Sequence, residues 1–371
     1  MEFYTHQSAL LDELDLLQGA VERKSTIPIL SHFLVETVGS GLQISASDLE
    51  VGARSSCRVE LKSEGKAAVP ARRLVEIIRS LPDAEIRFKL LENHWVHVTC
   101  QRSSFKLASM ATDNFPALPE LPKSAFTVPG DVLAGLIDRT MFAACQDESR
   151  FSLNGLLLLL KPNSVSMVAT DGHRLALAER RQAVAGVSSE LRMLVPSKAL
   201  GQLRRLLGEG GEEVEVNISK DDSHLFFSVG GRLLISRQLT GQFPNYEAVL
   251  PQENDKVVEL AGELVGAAIR RVALVADEHS HAVRLQLEQG RLEIFSSSGQ
   301  YGEAQEVVDI VYVGTALGVG FNYQYLLDFF AAVGKTETVR MELKDEQSAV
   351  QFSPVDQDTY GYKYILMPMR A

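Results

Sequence analysis

Val69-Pro70-Ala71-Arg72-Arg73-Leu74-Val75-Glu76-Ile77-Ile78-Arg79 decides how this chain is organised, because it is answered twice downstream. A step of 126 positions reaches Val195-Pro196-Ser197-Lys198-Ala199-Leu200, which runs on to Leu203-Arg204-Arg205-Leu206. A second step of 126 reaches Phe321-Asn322 and then Leu326-Leu327-Asp328-Phe329-Phe330. All three place apolar residues at helical spacing, as with Leu74, Ile77, Ile78 and Leu81. Other pieces recur in the same order. Phe115-Pro116 and Leu118 to Pro122 correspond to Phe243-Pro244 and Val249 to Pro251, and Ala46-Ser47-Asp48-Leu49 corresponds to Ala169-Thr170-Asp171-Gly172.

Each unit opens with an amphipathic stretch: Ser8 to Val21, Gly130 to Cys145, and Gly262 to Val275. Between the helices lie alternating runs such as Glu85 to Leu90 and Val214 to Ile218, which read as half-buried strands. One unit is therefore two helices and a larger number of strands. Its period is that of a domain and too long for a solenoid. The proline-rich joints at 116–122 and 244–251 fall where linkers belong. The expected architecture is α+β, with three consecutive copies of one domain at 1–122, 123–251 and 252–371.

The 371 residues are 45% hydrophobic and 23% charged, which excludes a disordered chain and a fibrous repeat. Three distant cysteines, Cys57, Cys100 and Cys145, give no disulfide framework and no zinc knuckle. The acidic N-terminus is unlike a signal peptide, and the run Leu156 to Leu160 is too short to span a bilayer. A reducing cytoplasm is the expected compartment, with no membrane partner. The net charge of −11 argues against holding a polyanion by affinity, so any role on DNA needs local basic patches or something other than affinity.

Such patches exist. Arg72 and Arg79 lie seven positions apart, as do Lys198 and Arg205 at matching places, so each pair shares one helix face. Arg73 and Arg204 broaden that face, and Lys24 precedes an expected strand. The third copy departs, with Gln324 and Ala331 at those places and Arg270 and Arg271 on its other helix. Catalytic motifs are weak. Gly334-Lys335-Thr336 lacks the earlier glycine of a phosphate loop and ends a helix. Glu278-His279-Ser280-His281 reads as an exposed polar turn. Asp171-Gly172-His173-Arg174 has the residue types of a hydrolase site but no nucleophile beside it. A strand-end turn is the plainer reading, and an enzyme working through Asp171 and His173 is the alternative.

Ala169-Thr170-Asp171-Gly172-His173-Arg174-Leu175-Ala176, with Ser152-Leu153-Asn154-Gly155 upstream and Met367-Pro368-Met369-Arg370 near the end, resembles the bacterial DNA sliding clamp, the beta subunit of DNA polymerase III. Ile27-Pro28-Ile29-Leu30 and Gln242-Phe243-Pro244 belong to the same resemblance, which runs the length of the chain. It implies a head-to-tail homodimer that closes a ring around duplex DNA, with helices lining the hole and sheets forming the outer wall. An acidic protein can stay on DNA in this way, because topology retains it. It also implies a non-catalytic processivity factor without a cofactor or metal. Its partners would be duplex DNA, a polymerase catalytic subunit, an ATP-driven clamp loader and other proteins carrying a clamp-binding motif.

Site residues follow from the resemblance. A partner-peptide pocket carries over to Leu153, Thr170, Gly172, His173, Arg174, Leu175, Pro244, Val249, Ile365, Leu366, Met367, Pro368, Met369 and Arg370, with His173 and Arg174 expected as polar edges. Ala248 stands where an arginine is frequent, and the chain ends in Ala371 where a leucine is common. The DNA-facing set is Lys24, Arg72, Arg73, Arg79, Lys198 and Arg205. The implied dimer edges run from Arg102 to Leu107 and from Gly302 to Asp309. Arg102 and Lys106 would oppose Glu303 and Glu306, and Leu107, Leu274 and Val275 would add apolar contact.

Overall fold

The computed structural model describes all residues except 23–25, 124, 148, 151, 209–213, 335–336, 358 and 370–371. The first copy of the repeat runs β1 (Glu2–His6), α1 (Gln7–Leu17), β2 (His32–Val38), β3 (Gly41–Ser47), β4 (Val51–Arg58), β5 (Glu60–Ser63), β6 (Lys66–Pro70), α2 (Ala71–Ser80), β7 (Glu85–Leu90), β8 (Trp95–Cys100) and β9 (Ser103–Ala108). The second runs β10 (Phe126–Pro129), α3 (Gly130–Thr140), β11 (Gly155–Lys161), β12 (Ser164–Thr170), β13 (Arg174–Arg181), β14 (Leu191–Pro196), α4 (Ser197–Leu206), β15 (Glu215–Lys220), β16 (His224–Val229) and β17 (Arg232–Arg237). The third runs β18 (Lys256–Ala261), α5 (Gly262–Val272), β19 (Ala282–Glu288), β20 (Arg291–Ser298), β21 (Gly302–Asp309), β22 (Leu317–Asn322), α6 (Tyr323–Val333), β23 (Thr338–Leu343), β24 (Val350–Pro354) and β25 (Gly361–Leu366). The three copies share one order of strands and α-helices, and among the described strands and α-helices only the short β5 is extra.

The Val-Pro signature has a structural cause. Pro70 and Pro196 each end a strand that lies at the border of its sheet, where a residue without an N–H breaks no ladder. Each then hands the chain to a helix whose φ proline already matches. In the third copy Asn322 holds the place and accepts a hydrogen bond from the Gln324 N–H at 2.9 Å. Gly334, at φ +92°, closes α6, as expected for a triplet that ends a helix. The faces divide as the spacing requires. Leu74, Val75 and Ile78 of α2 and Leu200 and Leu203 of α4 are buried, while the basic residues point to solvent.

The chain forms two compact units, one of Met1–Leu133 with Lys198–Gln238 and the other of Ala134–Ser197 with Leu239–Ala371. Within the first unit, the outer half-sheet of the second copy joins the inner half-sheet of the first, in the order β10-β15-β16-β17-β4-β3-β2-β6. Within the second unit the same junction is made between the second and third copies, as β14-β11-β12-β13-β25-β24-β23-β18. So β17 meets β4, and β25 meets β13. Two smaller sheets end in an unmatched border strand of the same kind. They are β5-β1-β7-β8-β9, with β9 outermost, and β21-β20-β19-β22, with β21 outermost.

Polar cross-links secure the first junction. Arg232 of β17 sends two N–H groups, at 2.9 and 2.8 Å, to Glu13 of α1, and the Ser55 hydroxyl on β4 donates to the same carboxylate. Burial works against the Glu13 charge, but Arg232 and Ser55 outweigh it and hold its pKa below the ordinary value. A group lowered in this way stabilises the fold above its unfolded pKa, and that stability is lost as pH falls through the folded value. Glu13→Gln is therefore expected to cost about 2 kcal/mol at pH 7. The gap between the two proteins should close progressively as urea unfolding is repeated below pH 4.5, the ordinary glutamate value.

Candidate functional site

The octet 169–176 builds a turn that the first copy repeats bond for bond. The Asp171 carboxylate accepts from the His173 N–H at 2.9 Å and the Arg174 N–H at 3.0 Å, while the Thr170 hydroxyl accepts from the Gly172 N–H at 3.1 Å. In the first copy Asp48 accepts from Glu50 and Val51, and Ser47 from Leu49. Gly172 and its counterpart Leu49 both lie in the left-handed region, at φ +92° and +77°. Asp171 is thus consumed by its own turn and by Arg174, which accounts for a carboxylate beside a histidine without chemistry. The strand-end reading of this motif holds.

Arg174 departs from its expected role as a polar edge. Its side chain is only 9% exposed. Nε donates to Asp171 at 3.0 Å, Nη1 to Asp328 of α6 at 2.6 Å, and Nη2 to the Phe142 carbonyl at 2.6 Å. The guanidinium also lies 4.2 Å from the Tyr325 ring centroid and 5.5 Å from that of Phe142. Burial disfavours its charge, but Tyr364, Asp328 and Asp171 more than offset this and raise its pKa. Arg174 is an anchor between β13 and α6. His173, by contrast, is exposed.

Strand alternation sorts the remaining candidates. Leu175 is paired with Ile365 and Arg174 with Leu366 across the β13–β25 junction. Leu175 and Ile365 are buried in an apolar cluster with Leu157, Leu159, Val168 and Tyr246, bordered by Leu177, Phe243 and Leu250. Leu366 follows Tyr364, which stacks on Phe329 of α6 with centroids 5.0 Å apart, so it shares the opposite, helix-facing side with Arg174. The tail is pinned at two points, by Met367 N–H to the His173 carbonyl at 2.9 Å and by Met369 N–H to the Gly320 carbonyl at 2.8 Å. Met367 and Val249 are 48% and 52% exposed, an unusual state for apolar side chains beside a core cluster. Pro244 is exposed, and Leu153, Pro368 and Met369 are half-buried. Arg370 and Ala371 lie outside the described residues.

Several contributors were not legible in the sequence. Arg150 donates to the Asp171 carbonyl at 2.8 Å and so sits over the turn. Phe142, Tyr325 and Asp328 complete the Arg174 anchor from distant segments. Tyr246 and Phe243 roof the apolar cluster, and only the recurring Phe-Pro pair hinted at them.

The basic candidates are exposed but not bare. Arg72 and Arg73 both reach Glu76 at 2.8 Å, and Arg79 reaches Asp15 at 2.5 Å. Lys198 lies 2.5 Å from Asp48, whose side chain is 2% exposed, so this lysine ties the first copy's turn to α4. Arg205 is exposed, and Lys24 lies outside the described residues. At the border strands, Arg102, Lys106 and Glu303 are exposed, Leu107 and Val275 are half-buried, and Leu274 is 81% exposed. Within the chain, Arg271 of α5 grips Glu306 with two N–H groups. Glu278 to His281 form the polar turn, with Asp277 accepting from His279 and Ser280 at 3.1 and 2.8 Å. Among the described residues no helix is long and apolar enough to cross a membrane.

Three copies of one sheet-and-helix domain joined border to border, with an apolar cluster at the second junction flanked by the exposed side chains of Val249 and Met367, define a DNA-clamp protein. Comparison with known proteins agrees along the whole chain. Residues 1–119, 127–245 and 247–370 match the N-terminal, central and C-terminal domains of the DNA polymerase III beta subunit. The chain is 36% identical over 372 residues to the beta sliding clamp of Pseudomonas aeruginosa and 33% identical over 375 residues to that of Escherichia coli K12, with complete coverage of all partners. The crystal structure of the Pseudomonas aeruginosa clamp bound to griselimycin superposes with a TM-score of 0.93 at 36% identity, covering 100% of each chain. That of the Thermotoga maritima beta subunit gives 0.92 at 26% identity, covering 100% of this chain and 99% of the other. The chain belongs to the family of bacterial DNA polymerase III beta subunits, the beta sliding clamps. It is a non-catalytic processivity factor of DNA replication.

Because Arg174 is buried among acceptors, Arg174→Ala removes the counter-charge of the largely buried Asp171 and a donor to the Phe142 carbonyl, and should cost about 3 kcal/mol in thermal unfolding. His173→Ala, at an exposed position of the turn, should stay within about 0.5 kcal/mol of the parent.

Proposed function

We propose that two copies of this chain close head to tail into a ring through β9 of one and β21 of the other. The observation that carries this is the junction rule inside the chain. The last strand of one copy of the repeat pairs with the third inner strand of its neighbour, as β17 with β4 and β25 with β13. Among the described strands only β9 and β21 lack that partner. Hairpin registers equate β9 with β17 and β21 with β4, since Cys100 faces Ser103 as Val229 faces Arg232, and Arg291 faces Asp309 as Gly41 faces Arg58. The β17–β4 register sets Leu234 opposite Ala53 and Ile235 opposite Gly52. Transferred to the open borders, it sets Phe105 opposite Ala304 and Lys106 opposite Glu303. Leu107 then meets Gly302 on the side of Leu274 and Val275.

The ring accounts for an acidic protein working on DNA. Retention by topology needs no strong contact, and the face of Arg72, Arg73, Arg79 and Arg205 then meets phosphates without reading bases. The groove at Leu175, Ile365, Val249 and Met367 receives the apolar anchors of a partner's clamp-binding peptide, with His173 at its rim and Arg174 holding its floor. The polymerase and other clamp-binding proteins dock there. A closed ring also requires an ATP-driven loader, since the sequence carries no nucleotide motif of its own.

Two experiments test these assignments. Lys106→Cys combined with Glu303→Cys should yield an oxidised covalent dimer in high amount, against a low background because Cys57, Cys100 and Cys145 are buried. Cross-linking in the neighbouring register instead, as with Ser104→Cys and Glu303→Cys, would refute the transferred pairing. Met367→Asp should weaken griselimycin, used as the probe, at least tenfold by calorimetry while the mass of the ring in solution stays the same. Unchanged binding would place the peptide site elsewhere.

A further inference from the structure

The arginines on the solvent face of α2 are all engaged, and the groups that engage them are themselves exposed. Arg72 Nε and Arg73 Nη1 each lie 2.8 Å from one oxygen of Glu76, and Arg79 Nη2 lies 2.5 Å from Asp15 of α1. The three arginine side chains are 84%, 71% and 55% exposed, and the two carboxylates 40% and 39%. Ion pairs this wet stabilise a fold very little. What they do is hold one edge of each guanidinium and offset its charge. An arriving phosphate competes with a carboxylate that is covalently part of the same face, so the net gain of each contact is reduced. Lys198 marks the contrast: its acid, Asp48, is buried and accepts two backbone N–H groups, so that pair is structural.

We propose that Glu76 and Asp15 are built-in competitors for DNA phosphate, which keep the arginines of the first repeat from gripping the duplex and so leave a loaded ring free to move. The proposal rests on the clamp reading and adds a role for two acidic residues. Three arginines against two carboxylates leave this face with one net positive charge, enough to attract a backbone and too little to hold it.

The test uses the full-length protein and linear duplex DNA, where topology contributes nothing, with affinity followed from 50 to 200 mM salt. Glu76→Gln with Asp15→Asn should bind tighter at low salt. It should also lose roughly threefold more affinity across that range for each arginine freed, because each adds about 0.9 to the logarithmic salt slope. On loaded circles the same variant should diffuse more slowly. Glu76→Gln alone, whose acid pairs only within α2, serves if the double variant unfolds early. Wild-type affinity and slope in these variants would overturn the proposal, provided that Arg72→Ala with Arg73→Ala and Arg79→Ala weakens binding. If that arginine variant binds as the parent does, the face does not meet DNA and the clamp assignment of these residues fails with it.

Discussion

Everything in this structure depends on a sheet border that cannot be left open. Each copy of the repeat presents two strands, its third inner strand and its last, that find no partner on one side within that copy, and unpaired strand edges invite association. Inside the chain the problem is solved twice, where β17 takes β4 and β25 takes β13. Two eight-stranded sheets follow, and with them the positions of both Asp turns and of the residues that anchor them. The apolar cluster proposed to receive a partner peptide is a by-product of the second junction. Leu175 and Ile365 are cross-strand neighbours there, and the tail that pins Met367 to His173 continues the same strand.

The two junctions share a scaffold but differ in what they offer. At the first, the position of Leu175 is taken by Gly52, and the side chain of Leu118 fills the space a Cβ would occupy. At the second, Leu175 belongs to a cluster flanked by exposed Val249 and Met367. The same turn geometry therefore supports a filled joint in one place and, in the other, a buried apolar cluster with exposed apolar neighbours. Anchoring differs as well. A buried aspartate takes a lysine from α4 at the first junction, whereas an arginine on β13 reaches an aspartate of α6 at the second. In both, a charge on one copy's sheet is tied to the helix of the next.

Much of this was legible in the sequence because the signals were local and repeated. Val69-Pro70 and Val195-Pro196 encode a strand end followed by a helix start, and Asp48 and Asp171 encode the turn before an inner strand. Both rely on neighbours within a few positions, so spacing alone exposes them. The Arg174 anchor was not legible, since its partners Phe142 and Asp328 lie far away in sequence and only the fold assembles them. The pairing of the basic face was half legible. Glu76 lies a helical turn from Arg72, but Asp15 meets Arg79 only because α1 packs beside α2. The pair of Glu306 with Arg271 was hidden for the same reason, since β21 and α5 meet only in the fold.

Retention by topology is the central claim, and it is tested most directly by loading the protein onto a nicked circular DNA with a clamp loader and then cutting the circle once at a distant site. A closed ring stays on the circle at salt concentrations that abolish ordinary electrostatic binding, and leaves once an end is created. Equal retention before and after the cut would mean that the protein holds DNA by affinity, and would contradict a ring held by topology.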